Sequence, residues 1–539
     1  TFLIYNTMTF SVVQRRGLIG SLRVLGVTRR EVFGLVLGEA LLVGLAGTAI
    51  GLAGGILLSR SLVALVTRTI NDLYFVVSVR GVEIAAGSIA VGVLLGVGAT
   101  LAAALPPALE ATRSAPRSTL MRSAIEGRTL ALLPRLTGSG IVVFGAGLAV
   151  ILLPGGGLVP AFAGLFIALI GCALIVPAAT LLAARGLGPP MRALFGSIGA
   201  LAARGISASL SRTAVAAAAL MIAVAVIIGV GVMVDSFRST LVNWLDHTLE
   251  ADLYVAAAGT RSPAELRLGA DGIAALGDLP GVERVRTIRS VELETPRGSI
   301  PLQVLGGELV DGSAYRLREG DPGRAWEQLL GGAVWVSEPY AERFDVAVGD
   351  RLVLPGDENV REFDVAAVYY SYASDRGAVT MARATYDAYW DDPAISGVGL
   401  HAAPDTDLAE LAEQVRTLWP EQQQITVVSN RELREQSLVV FDRTFLITNV
   451  LRILVALVAF VGVMSSLMAQ QLERARELAM LRATGMTPRQ LWAVVTAQTG
   501  ALGLIAGVLA IPLGLFLAWV MIDVINKRSF GWTLNMVVA

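Results

Sequence analysis

The stretch Leu22-Arg-Val-Leu-Gly-Val-Thr-Arg-Arg-Glu-Val32 returns 459 residues later as Leu481-Arg-Ala-Thr-Gly-Met-Thr-Pro-Arg-Gln-Leu491. Outward from this pair, Arg15 falls on Arg474, Gly26 on Gly485, Gly44 on Gly503 and Gly55 on Gly514. Each copy is a basic loop leading into a long apolar run. Both copies enter that run from the same side, so the repeat is parallel. This counts against transporter folds built on inverted repeats, though not against those with parallel ones.

The apolar runs decide the class. Of 539 residues 54% are hydrophobic and 16% charged, against about 25% charged in an ordinary soluble domain. Mean hydropathy is +0.64. A helix needs roughly 20 mostly apolar residues to cross a bilayer. Seven runs qualify: Val32–Leu58, Val82–Leu105, Ile141–Leu153 (extended back to about Leu133), Phe162–Ala183, Ala214–Val234, Phe445–Met468 and Leu491–Val524. Thr1–Val13 is an eighth, partial run. The first repeat copy has only Thr1–Val13 before its loop, and in the second the counterpart of the span starting near Val82 would begin near residue 541, just past Ala539. The sequence is therefore expected to continue at both ends.

Arginine orients the spans. Arg15, Arg16, Arg23, Arg29 and Arg30 lie in one connecting segment, Arg113, Arg117, Arg122, Arg128 and Arg135 in the next. Arg185, Arg192, Arg204 and Arg212 lie in a third, and Arg474, Arg476, Arg482 and Arg489 in a fourth. Counting spans puts all four on one side, which the positive-inside rule makes the cytoplasm. Ser59–Gly81, Asp235–Thr444 and the C-terminus then face outward. Within Asp235–Thr444, Asp252–Ala257, Val282–Leu293, Ile300–Leu305, Ala333–Val336, Arg351–Leu354 and Phe363–Tyr370 read as strands. Pro263–Leu276, Thr406–Trp419 and the region after Ser429 read as helices, the last opened by a Ser429/Glu432 capping box. Two breaker-poor stretches, Arg212–Leu249 and Asn430–Leu481, read as stalks that outrun the membrane.

The expected fold is thus a membrane protein, an α-helical transmembrane bundle of seven full spans and one partial, with an α/β extracytoplasmic domain carried on two stalk helices.

Several chemistries lack their residues. Net charge is −1, so no basic field points to nucleic acid. Lys527 is the sole lysine and lies in no glycine loop, so a Walker ATPase is excluded for this chain. The lone Cys172 provides no disulfide framework or thiolate metal site. His247 and His401 stand alone, without H-E-x-x-H or G-x-S-x-G. Asp271, Asp391 and Asp392 read as solvated loop acids. Glu39 lies inside a span with Gln498 as its repeat counterpart, which favours a structural hydrogen bond over proton coupling. Gly47, Gly51 and Gly55, like Gly503 and Gly507, form small-xxx-small ladders suited to close helix approach.

The chain resembles the permease subunits of FtsX-like ABC transporters, the MacB/LolC/LolE type, in its large ten-span subgroup with two core domains. The paired loops Arg16–Arg30 and Arg474–Arg489 carry the resemblance, with Pro107-Ala-Leu-Glu-Ala-Thr-Arg-Ser-Ala-Pro116 and with Gly332-Ala-Val-Trp-Val-Ser337 followed by Val348-Gly-Asp-Arg-Leu-Val353. It implies a truncated first core over 1–130, an extra two-span hairpin over 131–190, and a cytoplasmic linker, span and stalk over 191–250. A MacB-like outer domain over 251–430 and a stalk with the second, truncated core over 431–539 complete the division.

It further implies a bacterial plasma-membrane protein with no catalytic site, metal or bound cofactor. ATP is then used by a separate cytoplasmic ATP-binding subunit, in two copies. The coupling residues are expected to be Arg16, Arg23, Gly26, Arg30, Arg474, Glu477, Arg482, Gly485 and Arg489. Leu18 stands where the family often has Glu, and copy two keeps Glu477, so the loops are expected to grip unequally. Membrane lipid, and a lipoprotein, lipid or peptide outside, are the further partners implied, with mechanical work delivered across the membrane. The alternative is a transmembrane signaller that activates a cell-wall hydrolase and moves no substrate. A channel or carrier ranks below it, because few charges lie inside the spans.

Overall fold

The computed structural model describes residues 2–73, 85–113, 122–208, 210–257, 266, 270–295, 298–308, 312, 314–357, 359–418, 425–473 and 475–538. It divides into two compact units. One holds Thr1–Asn71, Val77–Gly231 and Leu446–Val520; the other holds Asp72–Val76, Val232–Phe445 and Met521–Ala539.

The first unit is helical. It contains α1 (Phe2–Gln14), α2 (Arg16–Val24), α4 (Ala86–Arg113), α5 (Arg122–Ile151), α6 (Leu158–Ala208), α14 (Ala475–Ala483), α15 (Pro488–Trp519) and most of α3 (Arg29–Leu73). Parts of α7 (Leu210–Thr248) and α13 (Asn430–Glu473) also belong to it. Seven helices among the described residues are long and apolar enough to cross a membrane, matching the seven apolar runs. In hydrocarbon every backbone N–H and C=O must be satisfied within the segment, which selects helices.

Close packing here is built on glycine. Gly140 and Gly147 of α5 face Gly171 and Gly164 of α6, each pair seven residues apart. A Cβ on Gly147 would lie 2.5 Å from the Ala168 nitrogen, and one on Gly171 would lie 2.5 Å from the Phe144 nitrogen. The backbones therefore touch, as small residues permit. α6 is two helices joined at Gly196, whose φ is +59°. Beyond it Ala202, Ala203 and Ile206 pack with Ala184 and Met191, and with Ala501 and Ile505 of α15.

The second unit holds the ten strands: β1 (Leu253–Ala257), β2 (Val282–Thr295), β3 (Gly298–Gly307), β4 (Leu317–Glu319), β5 (Val334–Ser337), β6 (Arg351–Pro355), β7 (Val360–Tyr369), β8 (Val379–Ala382), β9 (Gly397–Ala402) and β10 (Ile425–Ser429). They form one mixed sheet ordered β10-β1-β9-β2-β3-β8-β5-β7-β4, with β6 paired to β7. The β3/β8 and β5/β7 pairs are parallel. Helices α8 (Ala270–Gly277), α9 (Pro322–Leu330), α10 (Glu338–Phe344), α11 (Arg383–Asp387) and α12 (Leu408–Leu418) connect them. One core gathers Leu302, Val304, Val334, Val336, Tyr340 and Met381; another gathers Leu253, Val255, Val398, Leu400, Leu411 and Val415. The end of the chain, a π-helical stretch (Val520–Asn526), α16 (Lys527–Phe530) and an extended segment, lies largely in this unit.

The structure corrects several expectations. The helix read over Pro263–Leu276 begins at Ala270, while Leu266 forms a bridge to Ile395; 263–265 and 267–269 lie outside the described residues. The second stalk helix is described from Asn430 to Glu473, and Ala475–Ala483 is helical too, with 474 outside the described residues. The first outer loop is helical from Ser59 to Leu73, with no Pro or Gly to stop α3. Gly47, Gly51, Gly55, Gly503 and Gly507 meet nothing within 4 Å; the tight glycine contacts lie in α5 and α6. Asp392 is no solvated acid. Alternation along β2 puts Arg289 on the buried side of the sheet, and Asp392 Oδ2 accepts from Arg289 Nε at 2.8 Å and from Tyr386 OH at 3.0 Å. Burial pushes the Asp392 carboxyl up, but the hydrogen bonds from Arg289, Ala394 N and Tyr386 outweigh it and hold it below the ordinary 3.8.

Two predictions follow from this packing. Gly147→Leu overpacks the α5/α6 contact and should cost about 1–3 kcal/mol, lowering the melting temperature of the purified protein. Gly145→Leu, where nothing lies within 4 Å, should leave it unchanged. Asp392→Ala strands Arg289 and should cost the outer domain about 3 kcal/mol near neutral pH. The Asp392 contribution is present above the ordinary carboxylate pKa and lost as pH falls through the lower folded value. In denaturation measured across pH, the deficit of the variant should therefore shrink towards acid.

Candidate functional site: two repeated loops at the membrane surface

The repeat in sequence is a repeat in structure. α2 ends at Val24 and α14 at Ala483, α3 starts at Arg29 and α15 at Pro488, and both pairs of boundaries are offset by the same 459 residues. Each short helix ends in one turn. Gly26 N donates to Arg23 O at 3.3 Å and Val27 N to Leu22 O at 3.0 Å; Gly485 N donates to Arg482 O and Met486 N to Leu481 O, both at 3.1 Å. This is a Schellman stop. Its glycine needs a left-handed backbone, and φ is +101° at Gly26 and +104° at Gly485.

The next helix opens on a capping box. Thr28 N donates to Glu31 Oε2 at 2.7 Å while Glu31 N donates to Thr28 Oγ1 at 3.3 Å. Thr487 and Gln490 exchange the equivalent bonds at 3.0 and 3.3 Å. The orphan groups at both sides of each turn are thus satisfied, and each loop is a stiff bracket between two helices.

The inner side of loop one is fixed by packing. Ile19 and Val27 sit with Val12, Val32, Val36, Ala108 and Ala111. Arg23 Nη1 donates to Thr112 O at 3.3 Å, at the C-terminal turn of α4, where a cation is favoured. Arg15 Nη1 donates to Glu39 Oε2 at 3.0 Å, the structural bond expected of that carboxylate. Beside loop two, Glu477, Leu478 and Leu481 line a cavity of about 240 Å³ with Arg204, Gln471 and Gln498.

The outer sides differ in chemistry. Loop one exposes Leu18, Val24 and Leu25 at 63%, 79% and 81%. The repeat positions in loop two are Glu477, Ala483 and Thr484, all exposed. Among the expected coupling residues, Arg30, Arg482 and Arg489 are exposed. Gly26 and Gly485 make the turns. Arg23 faces inward and holds the loop to α4. Arg16 opens α2 with its side chain outside the described residues, and Arg474 lies outside them.

Residues 1–116 and 449–539 match the family model "FtsX-like permease C-terminal", and 213–418 match "MacB-like periplasmic core domain". The chain is 42% identical over 541 residues to an ABC transporter permease protein, Rv0987, of Mycobacterium tuberculosis. That alignment covers 99% of the chain and 63% of the relative. The chain belongs to the FtsX-like, MacB-type ABC transporter permeases. The periplasmic region of MacB from Actinobacillus actinomycetemcomitans aligns at 12% identity and a TM-score of 0.28, covering 35% of this chain and 94% of that one. The extracellular domain of YknZ from Gram-positive bacteria aligns at 12% identity and a TM-score of 0.25, covering 33% and 99%.

The apolar spans and the MacB-like domain make this a multi-pass plasma-membrane protein with an extracytoplasmic domain.

The outer unit of this permease holds a second arrangement that the sequence did not disclose. The extended segment after α16 is strapped along the outer half of α7. Asn535 N donates to Thr240 Oγ1 at 3.2 Å and Val537 N to Ser236 Oγ at 2.9 Å. The register is physical: four residues of helix rise about 6 Å and two of extended chain about 6.6 Å. Glu338, fully buried, accepts from Thr533 N at 3.0 Å and from Thr533 Oγ1, with Arg318 Nη1 at 3.4 Å. Burial pushes its carboxyl above the ordinary value despite those bonds. Tyr372 OH donates to Thr533 O at 2.7 Å, and Trp532 stacks near Phe237 and Phe530. His247 Nδ1 lies 2.7 Å from Asn243 O, and His401 is buried in β9, which lowers its pKa.

Glu338→Ala leaves the Thr533 N–H without its acceptor, at a cost of about 2 kcal/mol. Amide exchange over Thr533–Val537 should accelerate by roughly thirtyfold, while exchange in α2 and α14 stays unchanged.

Proposed function

We propose that the paired loops are docking elements for the ATP-binding subunit, and that the permease converts closure of two such subunits into mechanical work in its extracytoplasmic domain. The observation that carries this reading is the pair of stiff, identically built brackets 459 residues apart, each capped on both sides of its turn. A bracket of that kind passes displacement to the span it caps instead of absorbing it. The first bracket runs into α3 and the second joins α13 to α15. α13 itself is unbroken from Asn430 to Glu473, with Arg434 paired to Asp246 and Arg238 to Asp442 across the two outer helix segments. The outer product of that work is extraction or export of a lipid, lipoprotein or peptide. Arg16, Arg30, Arg474, Glu477, Arg482 and Arg489 are the charged contacts to the ATPase in this scheme, with Gly26 and Gly485 setting the turns and Arg23 positioning loop one.

The two sockets are unequal at three repeat positions: the first presents Leu18, Val24 and Leu25 where the second presents Glu477, Ala483 and Thr484. Leu25→Asp removes an apolar contact that docking would bury, worth about 1.5–3 kcal/mol, so binding of the purified ATP-binding subunit should weaken tenfold or more. Thr484→Asp, at the repeat position, should change it little. Equal effects of the two substitutions, or none from either, would remove the basis for this assignment.

A further inference from the structure

A small crevice lies wholly within the second unit, where the outer half of α7, the chain entering β4, the end of β7 and the strap meet. It encloses about 50 Å³, room for roughly three or four waters or for one tetrahedral oxyanion. Its described lining carries two basic side chains, Arg316 and His247, and no acid.

Each wall is fixed by its neighbours. Arg316 precedes β4, and its carbonyl accepts from Tyr370 N at 3.0 Å, which carries the β4/β7 pairing one step further. Its guanidinium lies 5.8 Å from the centroid of the Tyr370 ring. A guanidinium on an aromatic face keeps its in-plane N–H groups for another partner. Among the described residues no carboxylate pairs with Arg316, whereas Arg318, two residues on, is engaged by Glu338 and Glu342. The acids close by are engaged as well: Glu338 by Thr533 and Arg318, and Asp246, beside His247, by Arg434. On the α7 wall, Asn243 O holds His247 Nδ1 at 2.7 Å, which leaves Nε2 for a ligand. Trp244 meets Tyr372 edge to face at 5.9 Å, and Tyr372 OH is held by Thr533 O of the strap.

We infer that this crevice binds the oxyanion of a phosphate group, with Arg316 as its charge-assisted donor and His247 lining the same space. Charge selects an anion: the one guanidinium in the lining lacks an acid, and no carboxylate shares the space with it. Size selects a single headgroup-sized anion and excludes an acyl chain, so a phospholipid would enter by its phosphate alone. Shape selects phosphate over carboxylate, because a tetrahedral group offers oxygens to the α7 wall, the sheet and the strap together, and a planar one offers two. Trp244, Tyr370 and Tyr372 around it are of the residue types enriched at headgroup level. The site does not depend on the ATPase assignment of the loops.

The test reads the reactivity of His247 towards diethyl pyrocarbonate in the full-length protein, by mass spectrometry. The only other histidine, His401, is buried and serves as an internal reference. The protein is placed in nanodiscs of phosphate-free galactolipid, with and without inorganic phosphate, and in nanodiscs of phosphatidylglycerol. Modification of His247 should slow severalfold in the phosphatidylglycerol discs, on adding phosphate, or in both. Protection in phosphatidylglycerol alone assigns the lipid headgroup, and protection by phosphate in galactolipid assigns the free ion. Arg316→Gln removes the charge-assisted donor and should raise the half-protecting phosphate concentration, or the phosphatidylglycerol fraction needed, about tenfold. Arg324→Gln, exposed on α9 and outside the crevice, should leave it unchanged. Equal labelling of His247 in the wild type under all three conditions, which needs no variant to fold, would overturn the inference. Protection that survives Arg316→Gln, or that both variants lose equally, would overturn it too.

Discussion

A polypeptide in hydrocarbon has no water to satisfy its amides, and the rest of this structure depends on that constraint. It forces the spans to be unbroken helices, and unbroken helices act as rods. Where rods end, the backbone must be closed off before it can turn. The permease closes it twice in the same manner, with a left-handed glycine at Gly26 and Gly485 and a capping box at Thr28/Glu31 and Thr487/Gln490. On the proposed function, a flexible linker at either place would dissipate a push from the cytoplasm. A capped bracket of nine helical residues and a four-residue turn leaves little to flex.

The extracytoplasmic side solves the reverse problem, which is to hold the end of a rod to a folded domain. The chain beyond α15 does not trail away. It runs extended beside α7, matched step for step to one helical turn through Ser236 and Thr240, and is pinned by the buried Glu338 at Thr533. Lys527, the only lysine in the chain, reaches Glu342 at 3.4 Å, beside Arg318. Burying the Glu338 carboxylate carries a desolvation penalty, offset by Thr533 and Arg318, so the strap is specific: a shift of two residues would take the Thr533 hydroxyl away from that carboxylate.

The bundle and its loops were legible because their signals are local. Twenty apolar residues, arginine on one side, and Gly and Thr at fixed spacing each report one element without reference to any other. The Ser429/Glu432 capping box, also local, is formed as read, with Glu432 N donating to Ser429 Oγ at 3.2 Å. The misreadings concern partners far apart in sequence. Asp392 looked solvated because Arg289, 103 residues away, is its reason for burial. Glu338 and Thr533 are 195 residues apart and neither has a motif. β4, β8, β9 and β10 were missed: β4 has only three residues, and β9 carries Gly397 and Gly399 where strand formers are expected. The small-residue ladders of α3 were read as contact surfaces on spacing alone. Spacing specifies what could fit there, and only a neighbour supplies the contact.

On the proposed reading, the difference between the two loops bears on how the transporter works. Two identical ATP-binding subunits present identical grooves to brackets of identical backbone, so any inequality must come from side chains. Loop one adds Leu18, Val24 and Leu25 to its arginines, an apolar contribution less sensitive to salt. Loop two offers Glu477 and Thr484 at two of those places, beside Arg482 and Arg489, and contacts between exposed charges are screened over about 8 Å at physiological ionic strength. The first socket then holds its ATPase persistently, and the second engages and releases more readily. Such a division suits a single polypeptide whose one described MacB-like domain precedes its second loop in sequence: on this reading the half that must move outward is gripped by the more reversible contact.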